Sequence, residues 1–163
     1  METKRAGAVG YVPPGEGRSI WIVGDTYTFK AVGEDTGGAY ALFEGSVPPG
    51  SGPPPHIHHR EDEAYYILEG EFEILDSDHT FTAGAGSFVR IPAGTLHRFE
   101  NVGGTIARML MMFTPGGMEG FFFEVGQPAE VGGTAPPLDS KEIEKTLAVA
   151  PKYGMEVLLL PAE

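Results

Sequence analysis

The chain contains no cysteine among its 163 residues. This absence excludes disulfide bonds, metal sites built on thiolates and catalysis by a cysteine nucleophile. Disulfides are rare in the cytoplasm, so a chain without cysteine is typical of that compartment. We therefore expect a cytoplasmic protein whose chemistry depends on other side chains.

Long apolar runs and basic charge are also scarce. No apolar run is long enough for a transmembrane helix, and the first residues, METKRAGAVG, lack the apolar core of a signal peptide. Lys and Arg together number 11 against 23 Asp and Glu, which gives a net charge of −12. Because anionic partners repel such a chain, we expect no nucleic acid and no membrane partner.

Helical periodicity is rare before the last quarter of the chain. Short segments rich in β-branched and aromatic residues follow one another instead, such as SIWIVG, TYTFKAVG and EAYYILEG, and each is closed by Gly, Pro or Asp. About nine such segments at close spacing predict an all-β sandwich or barrel with antiparallel strands.

The segments divide the chain into three parts. Residues 1–18 are expected to form an irregular arm, residues 19–125 the β-barrel domain, and residues 126–163 a linker, a C-terminal helix and a tail that packs on the barrel or on a partner subunit. Asp139 can cap the helix, Ile143 and Leu147 form an apolar stripe, and Pro151 ends it. The aromatic segment 121–123 is interpreted as a short helix or turn over an apolar opening.

The histidines carry the chemical signal. His56, His58 and His59 lie within four residues in a chain that has only 5 histidines. On a strand, residues i and i+2 face the same side, so the imidazoles of His56 and His58 can share one cation. Glu63 joins them only if residues 59–62 form a turn or bulge, because an unbroken strand would place it on the other face.

His97 is a fourth candidate ligand, since it opens a strand just after a turn at Pro92-Ala-Gly94. Three imidazoles and one carboxylate suit Mn, Fe, Co, Ni or Zn and exclude an all-oxygen calcium site. We expect metal affinity to fall as pH drops through about 6, because imidazole binds metal only when neutral. The alternative is a solvated loop without ligands, and we expect the side chains of residues 59–62 and His79 to be exposed.

These residues resemble the two signature motifs of the cupin superfamily. The first motif is Gly50, five residues, His56-Ile-His58, four residues, Glu63, six residues and Gly70. The second is Gly86, five residues, Pro92-Ala-Gly94, two residues, His97, three residues and Asn101. The resemblance implies a single cupin jelly-roll, an antiparallel β-barrel, with one divalent transition metal per chain held by His56, His58, Glu63 and His97. It also implies turns at Gly70 and Gly94, a strand-end role for Asn101 and a homodimer.

Within the superfamily, the chain is similar to single-domain quercetin 2,3-dioxygenase-like proteins. That similarity implies cleavage of a small aromatic or enolic substrate, such as a flavonol, with O2, and it makes Glu63 a catalytic proton acceptor as well as a ligand. An apolar substrate pocket would be lined by Tyr65, Ile67, Phe88, Phe99, Met109, Met111 and Phe113. Simple core packing is the alternative for each of these. For the function, a non-catalytic metal- or small-molecule-binding cupin and a metal-dependent isomerase or epimerase remain open.

Overall fold

Two antiparallel β-sheets build a cupin jelly-roll in the computed structural model, which describes residues 7–159. Over these residues the strands are β1 (Arg18–Ile22), β2 (Asp25–Ala31), β3 (Ala41–Val47), β4 (His56–His58), β5 (Asp62–Glu69), β6 (Glu71–Asp76), β7 (His79–Gly84), β8 (Phe88–Ile91), β9 (His97–Asn101), β10 (Ala107–Thr114), β11 (Gln127–Pro128) and β12 (Met155–Val157). The all-β prediction and the short C-terminal helix are confirmed.

The strand order explains how distant segments meet. One sheet has the order β11-β1-β2-β3-β10-β5-β8, and the other has the order β12-β4-β9-β6-β7. The second sheet brings β12, near the end of the described chain, against β4, which carries two of the candidate ligands. Its register pairs Met155 with His58 and Val157 with His56.

Alternation along the strands fills the barrel. In β3 and β10 every second side chain is buried, so that Phe43, Met109, Met111 and Phe113 point inward. Phe43 packs on Phe29 and Phe113, with ring centroids 4.6 and 6.0 Å apart. Burial of such side chains contributes on the order of 2 kcal/mol each to the free energy of unfolding.

Helical structure covers one end of the barrel. The helices are α1 (Gly33–Thr36), α2 (Glu119–Val125) and α3 (Ser140–Val149), and a 3₁₀ turn follows over Ala150–Tyr153. Asp139 caps α3 as predicted, since its side chain accepts a hydrogen bond from the Glu142 backbone N–H at 2.9 Å. The predicted apolar stripe needs correction, because Leu147 is 42% exposed and Thr146 is the residue of α3 that is buried.

The motif glycines lie in turns that need a left-handed backbone. Gly70 has φ 81° and Gly94 has φ 86°, which a side chain would strain. At Gly70 an added Cβ would also meet the Cβ of Ala107 at 2.7 Å. Asn101 has the predicted strand-end role, because its side-chain amide donates hydrogen bonds of 2.8 Å to the carbonyls of Val47 and Thr105. No helix among the described residues is long and apolar enough to cross a membrane.

Candidate metal centre

Four predicted ligands come together inside the barrel. His56 and His58 project from β4, Glu63 from β5 and His97 from β9, and all four are buried. One ligand atom from each residue lies within 4.8 Å of every other. The i, i+2 spacing on β4 and the pairing of His56 with His97 across the β4–β9 ladder produce this arrangement.

The interatomic distances suit one cation. Glu63 Oε2 lies 2.9 Å from His97 Nε2 and 3.4 Å from His58 Nε2. Two ligands that bind the same transition metal at right angles are about 3 Å apart. His56 Nδ1 contacts the Pro54 carbonyl at 2.9 Å, and His97 Nδ1 contacts the Thr95 carbonyl at 2.8 Å. These backbone contacts leave Nε2 of both rings for the cluster.

The ionisation of the cluster favours metal binding by two of the imidazoles. Burial, with the charges of the neighbouring histidines, lowers the pKa of His56 to about 3. Burial likewise lowers the pKa of His58 to about 4. Both rings are therefore neutral at ordinary pH, which is the form that binds a metal ion.

His97 and Glu63 form an ion pair instead. Burial acts against the charged imidazole of His97, but the hydrogen bond and charge of Glu63 outweigh it and raise its pKa above 6.5. Burial would raise the pKa of Glu63, whereas the hydrogen bond from His97 and the surrounding imidazoles lower it to about 2. A metal ion that enters must displace the proton on His97.

The residues fit a divalent transition metal. Three imidazoles and one carboxylate buried together are costly in free energy unless they are paired or bind a metal ion. A cluster of three imidazoles and one carboxylate with a shared centre is compatible with one divalent cation in a cupin.

The turn between the two halves of the first motif has an unexpected feature. His59 and Arg60 are exposed, as predicted, and Asp62 is exposed too, with its carboxylate accepting a hydrogen bond from Ala93 N at 2.8 Å. Glu61 contradicts the expectation, since it is only 5% exposed and its Oε2 has no hydrogen-bond partner among the described residues. Burial raises the pKa of Glu61 above its usual value. The connection between β4 and β5 consists of residues 59–61, and Glu61 lies at its end, directly before β5.

A cavity of about 40 Å³ adjoins the cluster. Its walls are mostly apolar and come from the barrel, from α2 and from the C-terminal elements. The lining residues are Ile22, Val23, Tyr27, Pro53, Pro54, His56, His58, Glu63, Phe99, Met111, Phe113, Phe121, Phe122, Thr146, Met155 and Val157. No lysine or arginine lies among them.

The predicted pocket residues divide into three groups. Phe99, Met111 and Phe113 line the cavity. Tyr65, Ile67 and Met109 are fully buried but do not line it, since they pack in the barrel core. Phe88 is 65% exposed, because alternation in β8 turns Val89 and Ile91 inward and Phe88 outward.

The sequence did not predict some of the residues that line the cavity. Tyr27 lines the cavity from β2, and Met155 and Val157 line it from β12. Asp25, also on β2, is completely buried and accepts a hydrogen bond from the Tyr27 hydroxyl. The signal was present in the segment DTYTF, where an acidic residue stands in phase with two inward aromatic residues.

Comparison with known proteins supports the cupin superfamily. Residues 43–113 match the model of the Cupin domain. A predicted oxalate decarboxylase from Thermotoga maritima has the same fold, with a TM-score of 0.61, 26% sequence identity, and coverage of 64% of this chain and 98% of that one.

Curated relatives match a part of the chain. An uncharacterised protein, MJ1618, of Methanocaldococcus jannaschii is 35% identical over 75 residues, which cover 46% of this chain and 60% of that protein. Oxalate oxidase GF-3.8 of Triticum aestivum is 32% identical over 109 residues, which cover 62% of this chain and 47% of that protein. The chain thus spans about half the length of these relatives.

Proposed function

We propose, from the cupin-domain match and the cupin jelly-roll, that the protein is a metal-dependent dioxygenase that cleaves an apolar enol, such as a flavonol, with O2. One observation carries the proposal: three of the four cluster residues, His56, His58 and Glu63, line a cavity with mostly apolar walls. An octahedral ion with four protein ligands keeps two positions for small molecules. The proposed metal is Mn, Fe, Co, Ni or Zn.

Glu63 is the proposed catalytic residue. A divalent metal held by the cluster would supply Lewis-acid stabilisation of a substrate oxygen anion. Glu63 would accept the proton of the substrate hydroxyl, because its carboxylate belongs to the cluster and also lines the cavity. Because the pKa of Glu63 is lowered to about 2, the carboxylate is ionised before substrate enters.

The cavity walls support an apolar substrate. Apart from the proposed ligands, Tyr27 and Thr146 are the lining residues with polar side chains. A sugar would leave several hydroxyl groups without partners against such walls, which costs free energy for each group. This composition disfavours the isomerase or epimerase alternative.

Substrate entry requires movement of the walls. A flavonol needs a pocket of roughly 300 Å³ or more, whereas the cavity measures about 40 Å³. Met155 and Val157 belong to β12, a strand of three residues whose only described strand partner is β4. We therefore propose that β12 and the elements beside it move when substrate binds.

Oxygen consumption tests the proposal. Apo-protein is reloaded separately with Mn, Fe, Co and Ni, and oxygen uptake is followed with an electrode after addition of quercetin. Uptake that requires both metal and flavonol is the expected result. A fully loaded protein that consumes no oxygen with a panel of flavonols and simple enols would contradict the dioxygenase proposal and favour a non-catalytic binding protein.

Oxalate is a second candidate substrate. The small cavity and the similarity to oxalate oxidase GF-3.8 favour it, while the lack of a cationic lining residue argues against a dianion. The same electrode experiment with oxalate separates the candidates. Oxygen uptake with oxalate and none with flavonols would replace our first proposal by the second.

The homodimer stays a prediction. Tyr66 and Phe88 form a register pair on neighbouring strands and are 46% and 65% exposed. A second copy would cover this pair if the prediction is correct. Sedimentation equilibrium of the wild type and of Phe88→Lys provides the test, and a wild-type monomer would contradict it.

A further inference from the structure

The cavity has few groups that can orient an apolar substrate. Tyr27 and Thr146 provide the hydroxyl groups of its lining, and apolar walls alone give a ligand no preferred orientation. Tyr27 is 2% exposed, and its ring packs on Phe43 and Phe122 with centroids 5.0 and 5.5 Å away. The position of its hydroxyl is therefore fixed by packing.

A chain of hydrogen bonds extends from the Tyr27 hydroxyl. The hydroxyl donates to Asp25 Oδ2 at 3.3 Å. Asp25 Oδ1 lies 2.6 Å from Ser51 Oγ, which lies 3.0 Å from the carbonyl oxygen of Val23. Asp25 itself is 0% exposed.

Ser51 is the donor in this hydrogen-bond network. Its hydroxyl donates to Asp25 Oδ1 at 2.6 Å and to the Val23 carbonyl at 3.0 Å, so that its one proton is shared between two acceptors. Burial raises the pKa of Asp25 to about 7, whereas the hydrogen bonds from Ser51 and Tyr27 act in the opposite direction.

The backbone at the far end of the chain is strained. Val23 has φ 50°, a left-handed conformation that a β-branched residue rarely adopts. Its N–H contacts both carboxylate oxygens of Glu142 on α3 at 3.2 Å, and its carbonyl meets Ser51. Val23 and Gly24, with φ 50° and 82°, form the two-residue turn between β1 and β2, and such a turn requires this conformation.

We infer that Tyr27 is a substrate-contact residue whose phenol oxygen accepts a hydrogen bond from a substrate hydroxyl, and that Asp25 and Ser51 position it. Because the Tyr27 proton is engaged by Asp25, the lone pairs of the phenol oxygen are what the residue offers to a ligand. The inference rests on the proposed function, which places another substrate oxygen at the metal cluster. It deepens that function by defining the substrate class as an apolar ring with two oxygen groups, one for the metal and one hydroxyl for Tyr27.

Binding of simple phenols to cobalt-loaded protein tests the inference. Phenol, catechol, resorcinol and hydroquinone are titrated without oxygen into wild type and Tyr27→Phe, and the visible absorption of the cobalt reports binding. We expect at least one dihydroxybenzene to bind the wild type more tightly than phenol does. Tyr27→Phe should weaken that probe about fivefold to tenfold, the value of one neutral hydrogen bond, and leave phenol unchanged.

Variants of Asp25 test the positioning role. Asp25→Asn should keep the preference for the dihydroxy probe, because its amide oxygen can accept the hydrogen bond of Tyr27 while Ser51 directs its proton to the Val23 carbonyl. Asp25→Ala should lose the preference. Tyr153→Phe is the matched control, since the Tyr153 hydroxyl bonds Glu124 at 2.8 Å and Tyr153 does not line the cavity.

The outcomes separate the inference from the proposed function. If phenol changes the cobalt spectrum but the ratio of affinities is equal in wild type, Tyr27→Phe and Asp25→Ala, the inference is overturned and the proposed function stands. If none of the four probes changes the spectrum of fully loaded wild type, the inference is overturned, and oxygen uptake with flavonols decides the proposed function separately. Loss of the preference in Tyr153→Phe would show that the ratio reports general disturbance and would also overturn the inference.

Discussion

The cavity has two unlike sides. Its ligand side consists of buried polar residues on the paired strands β4, β5 and β9, and two of them, His56 and His97, also contact backbone carbonyls. Its covering side comes from α2, α3 and β12, which contribute apolar side chains such as Phe121, Met155 and Val157. The ligand side is therefore arranged for a metal ion before any substrate is present. The shape of the substrate space depends on elements such as β12, which pairs with β4 alone among the described strands.

The largest effect expected on the ligand side is loss of metal. His97→Ala removes a ligand and leaves the Glu63 carboxylate without the partner that lies 2.9 Å away. Substitution of a residue that only supports a metal ligand typically lowers metal affinity by about 10- to 100-fold. Because His97→Ala removes a ligand itself, we expect metal affinity to fall by more than about 100-fold. Metal content after dialysis, measured by mass spectrometry, gives the result.

His59→Ala is the matched control for this change. The imidazole of His59 is 53% exposed and contacts Glu156 at 3.0 Å on the surface. Its loss should leave one metal per chain. An unchanged metal content in His97→Ala would remove His97 from the ligand set.

Acid should release the metal through His97 first. The pKa of His97 is raised above 6.5, so protons compete with metal at that ring below its pKa, and affinity should fall about tenfold per pH unit. His58 and His56 add further competition only near pH 4 and pH 3, where their lowered pKa values lie. Zinc binding measured with a competing chelator from pH 8 to 5 tests this, and an affinity independent of pH would contradict it.

Asp25 should make the stability of the folded protein depend on pH. Asp25 has its pKa raised from 3.8 to about 7, so the folded state retains a proton that the unfolded state releases in this range. The retained proton stabilises the folded state fully below pH 4. This stabilisation is lost as pH rises towards 7, by up to about 1.4 kcal/mol per pH unit. Tyr27, Ser51 and Glu142 are the polar groups that face Asp25.

Urea unfolding of apo wild type and Asp25→Asn at pH 5 and pH 8 isolates this contribution. Other ionisable groups are common to both proteins and cancel in the difference. The wild type should lose about 2–3 kcal/mol more than Asp25→Asn between the two pH values. Equal losses would show that Asp25 ionises normally.

The smallest effect is expected on the covering side. Met155→Ala should lower the free energy of unfolding by about 1–2 kcal/mol, less than in a full core because Met155 is only partly buried. Metal content should stay at that of the wild type, while 3-hydroxyflavone should bind faster to the enlarged opening. Leu159→Ala, at a residue that is 50% exposed, is the control. A loss of metal in Met155→Ala would show that the two sides are not independent.

The same contrast explains what the sequence could predict. Strand geometry places His56 and His58 on the same side, and a turn precedes both Glu63 and His97. The cluster could therefore be predicted from the sequence. Alternation along β5 and β10 also predicts which side chains point into the barrel. It does not predict which of these inward side chains line a cavity. Met111 and Phe113 line the cavity, whereas Met109 on the same face packs in the core.

Other features depend on contacts between distant segments. Met155 and Val157 reach the cavity because β12 pairs with β4, and no local pattern specifies that partner. Glu61, directly before β5, is buried although it stands in a run of charged residues, which by itself predicts exposure. Leu147 is exposed because α3 turns Thr146 towards the barrel. The last part of the tail, Leu160 onward, lies outside the described residues.

The pairing of β4 also affects when the protein can acquire its metal during synthesis. One residue of β4 pairs with a residue of β9, whereas three pair with residues of β12. The β12 residues are translated almost a hundred codons after those of β4. Until residues 155–157 have left the ribosome, His56 and His58 lie on a strand that lacks most of its partners. A nascent chain with four available ligands binds divalent ions in order of affinity, which favours copper over the metals proposed here. We therefore expect the choice of metal to depend on how soon the chain closes after translation.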